Sequence, residues 1–116
     1  MGGKRKALVL GMARSGYEAA KFLADKGYRV VLNDAKADQN PDQVKELETL
    51  GVEVVLGSHP EHLLDESVSI MVKNPGIPNT HPYVEKAIRL NVPVINEMEL
   101  AYRYFPNGVT IIGVTG

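Results

Sequence analysis

The sequence predicts an α/β fold: a parallel sheet of about five strands with helices on both of its faces. Short apolar segments rich in β-branched residues alternate with segments whose apolar residues recur at helical spacing. A glycine or an asparagine follows each helical segment, as is typical of residues that end helices. Strands that alternate with helices favour right-handed crossovers, and these place neighbouring strands parallel.

The predicted strands are the apolar segments, and the predicted helices lie between them. The strands are Ala7–Leu10, Val30–Leu32, Val52–Leu56, Ser69–Val72 and Val92–Ile95. The buried helix faces are Ala19, Phe22 and Leu23, then Val44 and Leu47, then Val84, Ala87 and Ile88. Gly27, Gly51 and Asn91 are predicted to end these helices, and a short helical turn fits near Glu61–Leu64.

Residues 97–116 follow a different pattern, so we predict one domain over 1–96 and the start of another over 97–116. Glu97 and Glu99 suit the first turn of a further helix, where carboxylates are favoured. Val109–Val114 is typical of a fully buried strand, yet no covering helix follows it. We therefore expect a truncated second domain. The apolar positions of the expected helix are Met98, Ala101 and Phe105.

Composition excludes several classes of function. Over 116 residues, 13 Lys and Arg balance 14 Asp and Glu, and there is no cysteine. This composition does not favour a nucleic-acid surface and excludes disulfides, and no apolar segment approaches the roughly 20 residues that span a bilayer. We expect a cytoplasmic monomer without nucleic-acid or membrane partners, although its truncated end could associate with another copy.

Histidine spacing does not predict a metal site. His59, His62 and His81 lack a cysteine or carboxylate partner at metal-ligand spacing. Surface or helix-capping roles are the expected ones. No serine–histidine pair suggests nucleophilic catalysis, and we expect no catalytic residue in this chain.

The turn after the first strand predicts an anion site. Gly11-Met12-Ala13-Arg14-Ser15-Gly16 joins a strand to a helix, whose first amides and dipole favour a phosphate. Arg14 adds a charged fork, and Ser15 could cap the helix or bind a phosphate oxygen. Ala13 stands where dinucleotide enzymes have a second glycine, which argues against NAD or FAD. The alternative is a tight turn without a ligand.

Asp34 follows the second strand and therefore lies beside the same crevice in a Rossmann-like sheet. Its carboxylate could accept a pyrimidine N–H or ribose hydroxyls, or it could simply be a polar strand end. Lys36 is long enough to reach a phosphate, and a solvated lysine is the alternative. Together with the glycine turn, Asp34 indicates a nucleotide diphosphate as ligand.

The segment Lys73-Asn74-Pro75-Gly76-Ile77-Pro78 follows the fourth strand at the same sheet edge. Proline fixes its own φ and Gly76 permits close backbone approach, so this loop suits a ligand pocket. A turn that merely ends a strand is the alternative interpretation.

These motifs taken in order resemble the Mur ligases, the ATP-dependent enzymes that build the peptide stem of peptidoglycan, and among them the amino-terminal region of the D-glutamate-adding members. The resemblance spans essentially the whole chain. It is carried by Val9–Gly16, Asn33-Asp34, Gly57–Pro60, Lys73–Pro78, Glu97–Leu100 and Ile111–Gly116.

The resemblance implies that this chain binds the UDP moiety of UDP-N-acetylmuramoyl-L-alanine. Arg14, Ser15 and Gly16 would hold the diphosphate; Asp34, Ala35 and Lys36 would recognise the uracil; Asn74 and Gly76 would line the pocket. Ala35 replaces a hydroxyl residue that is common in the family, and Lys36 replaces a common arginine. A hydroxyl contact at residue 35 is therefore not expected.

The resemblance also implies ATP and magnesium as cofactors of the full-length enzyme, with Thr115 and Gly116 opening the ATP loop. The family's Gly-Lys-Thr/Ser sequence would follow them, so we expect this chain to bind UDP without catalysing ligation and to bind no cofactor itself. Two alternatives stay open: an NAD(P)-binding domain of a dehydrogenase or sensor, and an interaction module without a nucleotide.

Overall fold

The computed structural model describes residues 5–12, 14–74, 76–97, 99 and 100, with backbone alone at residues 14, 15 and 61. Five parallel strands form one sheet in the order β3-β2-β1-β4-β5. The predicted α/β class and parallel sheet are confirmed. The strands are β1 Lys6–Leu10, β2 Arg29–Asp34, β3 Glu53–Leu56, β4 Val68–Lys73 and β5 Val94–Asn96.

Three helices and one 3-10 turn connect these strands: α1 Arg14–Asp25, α2 Pro41–Thr49, α3 Pro82–Arg89 and the turn Glu61–Leu63. Proline occupies the first turn of α2 and α3, where its missing N–H costs no intrahelical bond. Asn40 caps α2 by accepting from the Asp42 and Gln43 amides through its side chain.

Alternate residues of the strands point to opposite faces of the sheet, so the chain has two hydrophobic cores. Val9, Leu32 and Val72 belong to the core beneath α1 and α2. Leu8, Val31 and Met71 belong to the core beneath α3. Helices therefore cover both faces, as the sequence predicted, and the central strands are buried on both sides.

The buried face of α3 differs from the prediction. Tyr83, Val84 and Ala87 pack against the sheet, whereas Ile88 is 58% exposed. Ile88 lies about 100° further round the helix than Ala87, which turns it past the sheet toward the rim of a cavity. The prediction that Ile88 belongs to the core was wrong.

All three helices end in the same hydrogen-bonding pattern, at the predicted residues. Gly27, Gly51 and Asn91 have φ values of 91°, 93° and 62°, the left-handed region. The next amide donates back across the helix end, from Tyr28 to Leu23, from Val52 to Leu47 and from Val92 to Ala87. This is the Schellman closure, which satisfies the last helical carbonyls.

These closures explain why two strands begin later than predicted. Val52 and Val92 donate their amides to the helix ends, so neither starts a strand. Pro93 has no N–H to donate to a ladder, although its carbonyl accepts from Met71 at 2.8 Å. Strands β3 and β5 consequently begin at Glu53 and Val94.

The helix predicted after β5 is described only at its start. Residues 97, 99 and 100 are helical. The Asn96 amide donates to Glu99 Oε1 at 2.9 Å, and the Glu99 amide donates to Asn96 Oδ1 at 2.8 Å. This reciprocal capping box marks the helix start. The predicted positions Met98, Ala101 and Phe105 and the strand Val109–Val114 lie outside the described residues, and the boundary at residues 96 and 97 stays a prediction.

Over the described part of the chain, no helix has the length and apolarity needed to cross a bilayer.

Candidate functional site

The sheet has its topological switch point between β1 and β4. Strand β1 pairs with β2 on one side and with β4 on the other, and Leu10 is in register with Lys73. The chain moves outward in opposite directions from these two strands, so the loops beyond their carboxyl ends separate and leave a crevice. The segments that follow β1, β2 and β4 are the ones that the sequence predicted to bind a nucleotide.

The glycine turn after β1 presses the start of α1 against the edge of the sheet. Gly11 has a φ of 102°, and its amide donates to the Asn33 carbonyl at 2.8 Å. A Cβ at Gly16 would lie 2.0 Å from the Gly11 carbonyl oxygen, so no side chain fits there. This close approach brings the first turn of α1, which begins at Arg14, to the crevice. The amides of such a turn lack helical acceptors, and they suit an anion.

Asp34 joins the glycine turn to the next strand. It is the last residue of β2, and its Oδ2 accepts from the Met12 amide at 2.8 Å while its Oδ1 accepts from the Lys36 amide at 2.8 Å. Each carboxylate oxygen has a further lone pair, so a ligand N–H or hydroxyl can still bind. Ala35 and Lys36 are exposed beside it. The structure thus brings Asp34 against the glycine turn, as predicted.

The loop after β4 faces the glycine turn across the crevice. Asn74 organises it, because its Oδ1 accepts from the Gly76 amide at 2.9 Å and its carbonyl accepts from Ile77 at 2.9 Å. Lys73 donates from Nζ to the Ile77 carbonyl at 2.8 Å. The Ile77 Cδ1 lies 3.4 Å from the position that a Cβ on Gly11 would take. Asn74 and Gly76 therefore lie beside the predicted phosphate turn.

Asn33 is a structural link that the sequence analysis missed. It is fully buried, the one buried polar residue within the described ranges. Its Nδ2 donates to the carbonyls of Val55 and Ser58 at 2.8 and 2.7 Å, and its Oδ1 is hydrogen-bonded to His59 Nδ1. An amide inside an apolar strand was the available signal, since a buried amide needs hydrogen-bond partners. Asn33 thereby fixes the loop after β3 next to Asp34.

An aromatic cluster lies beside this link. The His59 ring lies 4.9 Å from His81 and 5.0 Å from Tyr83 between centroids, and the Tyr83 hydroxyl donates to the Pro60 carbonyl. His81 caps α3 by accepting from the Tyr83 amide at 3.1 Å, which agrees with the predicted capping role. His62 is exposed, whereas His59 is half-buried and does not cap a helix. Burial lowers the pKa of His81, and the neighbouring His59 adds to that effect.

A cavity of about 420 Å³ is lined by residues of α3 and β5 and by Lys73 at the end of β4. Its walls include Val84, Ile88 and Val94, and Lys73 and Glu99 contribute charged groups. Across the ranges that the structure describes, no three His, Asp or Glu side chains converge in a way that could hold a metal ion.

The predicted site residues fall into three groups. Asp34, Asn74 and Gly76 lie around the crevice with their contacts defined, and Ala35 and Lys36 are exposed at its border. Gly16 is buried in the turn, while Arg14 and Ser15 are placed by their helical backbone. Thr115 and Gly116, expected to open an ATP loop, lie outside the described residues.

Comparison with known protein families gives one match over most of the chain. Residues 5–96 match the family described as Mur ligase MurD-like, N-terminal domain. Similar curated proteins include the UDP-N-acetylmuramoylalanine–D-glutamate ligases of Enterococcus hirae, 53% identical, and of Geobacillus kaustophilus, 49% identical. Each of these alignments covers 97% of this chain and 24% of the relative, so the chain spans about a quarter of their length.

Solved structures share the fold. The UDP-N-acetylmuramate-alanine ligase MurC of Thermotoga maritima superposes with a TM-score of 0.71 and 16% identity, over 88% of this chain and 23% of that one. A Neisseria meningitides ligase that joins UDP-N-acetylmuramate to a peptide gives a TM-score of 0.69 and 20% identity, over 86% of this chain and 31% of that one. At such low identity these likenesses show a common architecture.

Proposed function

Because the chain belongs to the MurD-like Mur ligases, matching their N-terminal domain, we propose that it binds the UDP moiety of UDP-N-acetylmuramoyl-L-alanine. The curated relatives named above are D-glutamate ligases of that substrate. The chain would serve as the substrate-binding part of a longer cytoplasmic ligase, which uses ATP to add D-glutamate during peptidoglycan precursor synthesis.

The observation that carries this proposal is the meeting of three segments at the switch point. The glycine turn, the Asp34 carboxylate and the loop from Asn74 to Ile77 lie at the carboxyl ends of three adjacent strands. A switch point is where open α/β sheets bind nucleotides. The three segments offer different chemistry, which matches the different parts of a nucleoside diphosphate.

The diphosphate would bind at the start of α1. Helix α1 has twelve residues and no acidic side chain in its own first turn, and the dipole at its start favours an anion. Arg14, Ser15 and Gly16 would supply backbone amides, a hydroxyl and a guanidinium there. A charge-assisted contact from arginine would add selectivity for phosphate over neutral groups.

The uracil would bind beside Asp34, whose carboxylate can accept the ring N–H. The Lys36 amide already donates to Asp34, so Lys36 would reach the ligand through its side chain rather than its backbone. Ala35 has no side-chain polar group and would contribute backbone alone. Asn74 and Gly76 would line the opposite wall.

Ligation itself would depend on parts of the longer protein. The described residues hold no cluster of His, Asp or Glu side chains that fits magnesium, and Thr115 and Gly116 lie outside them. In the proposed role, ATP and magnesium would be held by those other parts. Its role in the reaction would be to bind and orient the nucleotide end of the substrate, and we expect no phosphate release by the chain alone.

Isothermal titration calorimetry with UDP, uridine and NAD tests the proposal. We expect micromolar or weaker binding of UDP, because a few hydrogen bonds of about 1 to 3 kcal/mol each are offset by the entropy of association. Uridine should bind more weakly than UDP, and Arg14→Ala should reduce that difference. Binding of NAD but not UDP would favour a dehydrogenase or sensor domain, and binding of neither would favour an interaction module.

A further inference from the structure

Lys73 makes a contact that neither its sequence motif nor the proposed ligand contacts explain. It is the last residue of β4 and half-buried, and it lines the cavity between α3 and β5. Its ammonium group donates to the carbonyl of Ile77 at 2.8 Å. A charged donor gives such a bond more strength than a neutral one has.

This bond closes the loop that faces the glycine turn. Asn74 turns the chain through its bonds to the amides of Gly76 and Ile77, both at 2.9 Å. The Lys73 bond then ties the far end of the same loop back to the end of β4. Since Ile77 directs its Cδ1 at Gly11, a shift of Ile77 would change the width of the crevice.

We infer that Lys73 is a positioning residue for the nucleotide pocket: its bond to the Ile77 carbonyl holds the loop of residues 74–78 at a fixed distance from the glycine turn. The inference rests on the proposed function. Lys73 acts here through the loop and does not need to touch the nucleotide. The pocket should therefore lose affinity for every ligand that the loop contacts, whether or not the ligand carries a phosphate.

The test compares Lys73→Met, Lys73→Arg and the matched control Lys45→Met, an exposed lysine of α2. Calorimetry should show Lys73→Met binding both UDP and uridine about fivefold more weakly than the unchanged chain, the effect of one net hydrogen bond. Lys73→Arg should recover part of that loss, because a guanidinium can also donate to the carbonyl. Lys45→Met should bind as the unchanged chain does.

A second readout works without any nucleotide. In ¹⁵N–¹H NMR spectra, the Gly76 and Ile77 amides should shift in Lys73→Met and stay in place in Lys45→Met. Melting curves of all three variants establish that each is folded. If Lys73→Met does not fold, the same binding and NMR measurements are made on Lys73→Arg.

The outcomes separate the two proposals. If the unchanged chain binds UDP and Lys73→Met binds it equally well, the inference about Lys73 is wrong and the proposed function stands. A loss for UDP without a loss for uridine would instead make Lys73 a direct phosphate ligand, which also overturns the inference. If the unchanged chain binds neither ligand, the proposed function fails, and unshifted Gly76 and Ile77 amides would then overturn the inference as well.

Discussion

The parallel strands all begin on one side of the sheet, here called the amino edge, and all finish on the opposite side, the carboxyl edge. The two edges are built in different ways. At the amino edge, helices α1, α2 and α3 end in the same Schellman closure before the chain re-enters the sheet. At the carboxyl edge, β1, β2, β3 and β4 are each followed by a different arrangement: a glycine turn, a bracing carboxylate, a loop held by Asn33 and a loop held by Lys73. The repeated closure ends each helix and satisfies its last carbonyls, which every helix that leads back into the sheet requires. The varied edge holds polar contacts that chain reversal alone does not require, and it is where we propose that the nucleotide binds.

Glycine illustrates the same contrast. Gly27 at the amino edge has a φ of 91°, and a Cβ there would meet nothing within 4 Å. Gly16 at the carboxyl edge has no positive φ, but a Cβ there would lie 2.0 Å from the Gly11 carbonyl oxygen. Gly27 is required for its left-handed backbone conformation, whereas Gly16 is required for the close approach of α1 to the glycine turn.

The largest effect is expected for Gly16→Ala. The added methyl group would collide with the Gly11 carbonyl oxygen, so α1 would have to move away from the glycine turn. We expect the free energy of unfolding to fall by about 3 kcal/mol or more. Gly27→Ala should lower it by only about 1 to 2 kcal/mol, the cost of a left-handed alanine. Urea denaturation measures both. Equal losses for the two variants would contradict the distinction between the edges.

A smaller effect, measured on binding, is expected at Asp34. Asp34→Ala removes the acceptor of the Met12 and Lys36 amides and of the proposed uracil N–H. We expect about tenfold weaker UDP binding by calorimetry, in line with the loss of a hydrogen bond to a charged group. The matched change Asp25→Ala, at the exposed amino-edge end of α1, should leave UDP affinity as it is. Unchanged affinity in Asp34→Ala would remove this residue from the site.

The smallest effect is expected from acid. His81 caps α3 through its neutral ring, and burial keeps its pKa below the ordinary value of 6.5. The unfolded chain therefore takes up this proton first, so the contribution of His81 to stability is complete above the unfolded pKa and is lost as pH falls through the folded pKa. Loss of the cap should cost about 1 kcal/mol.

Hydrogen exchange locates that acid effect. From pH 7.5 to pH 5, after correction for intrinsic rates, the Tyr83 amide at the start of α3 should lose protection, whereas Val92 at its Schellman closure should keep more of it. His81→Asn retains a capping acceptor that does not titrate, so the pH dependence should flatten. His62→Asn, an exposed histidine, is the control and should change nothing. Equal loss at both ends of α3 would mean that acid unfolds the helix as a unit.

Sequence reasoning predicted the amino edge well because its rules are local. A glycine or asparagine after an amphipathic helix is enough to predict the closure, and all three positions were found. The error at Ile88 has a different cause. The buried face of α3 includes Tyr83, which the predicted face left out, and Ile88 lies about 140° round the helix from Tyr83.

The carboxyl edge was predicted in its residues but only partly in its bonds. Asp34, Asn74 and Gly76 were named from their positions after strands, which parallel topology brings together. The hydrogen bonds of Asn33 and Lys73 were missed. Asn33 bonds to residues more than twenty positions away, and Lys73 bonds within an irregular loop, so neither contact follows from a periodic pattern.

The double hydrogen bond of Asp34 has a consequence for inhibitor design. Its carboxylate is already oriented by two backbone amides before any nucleotide arrives. If the proposed uracil contact holds, a small heterocycle that carries an imide would meet a preorganised acceptor, so little entropy would be lost in ordering the side chain. A substitution that removes this carboxylate would also remove the bond that holds the Met12 amide of the glycine turn.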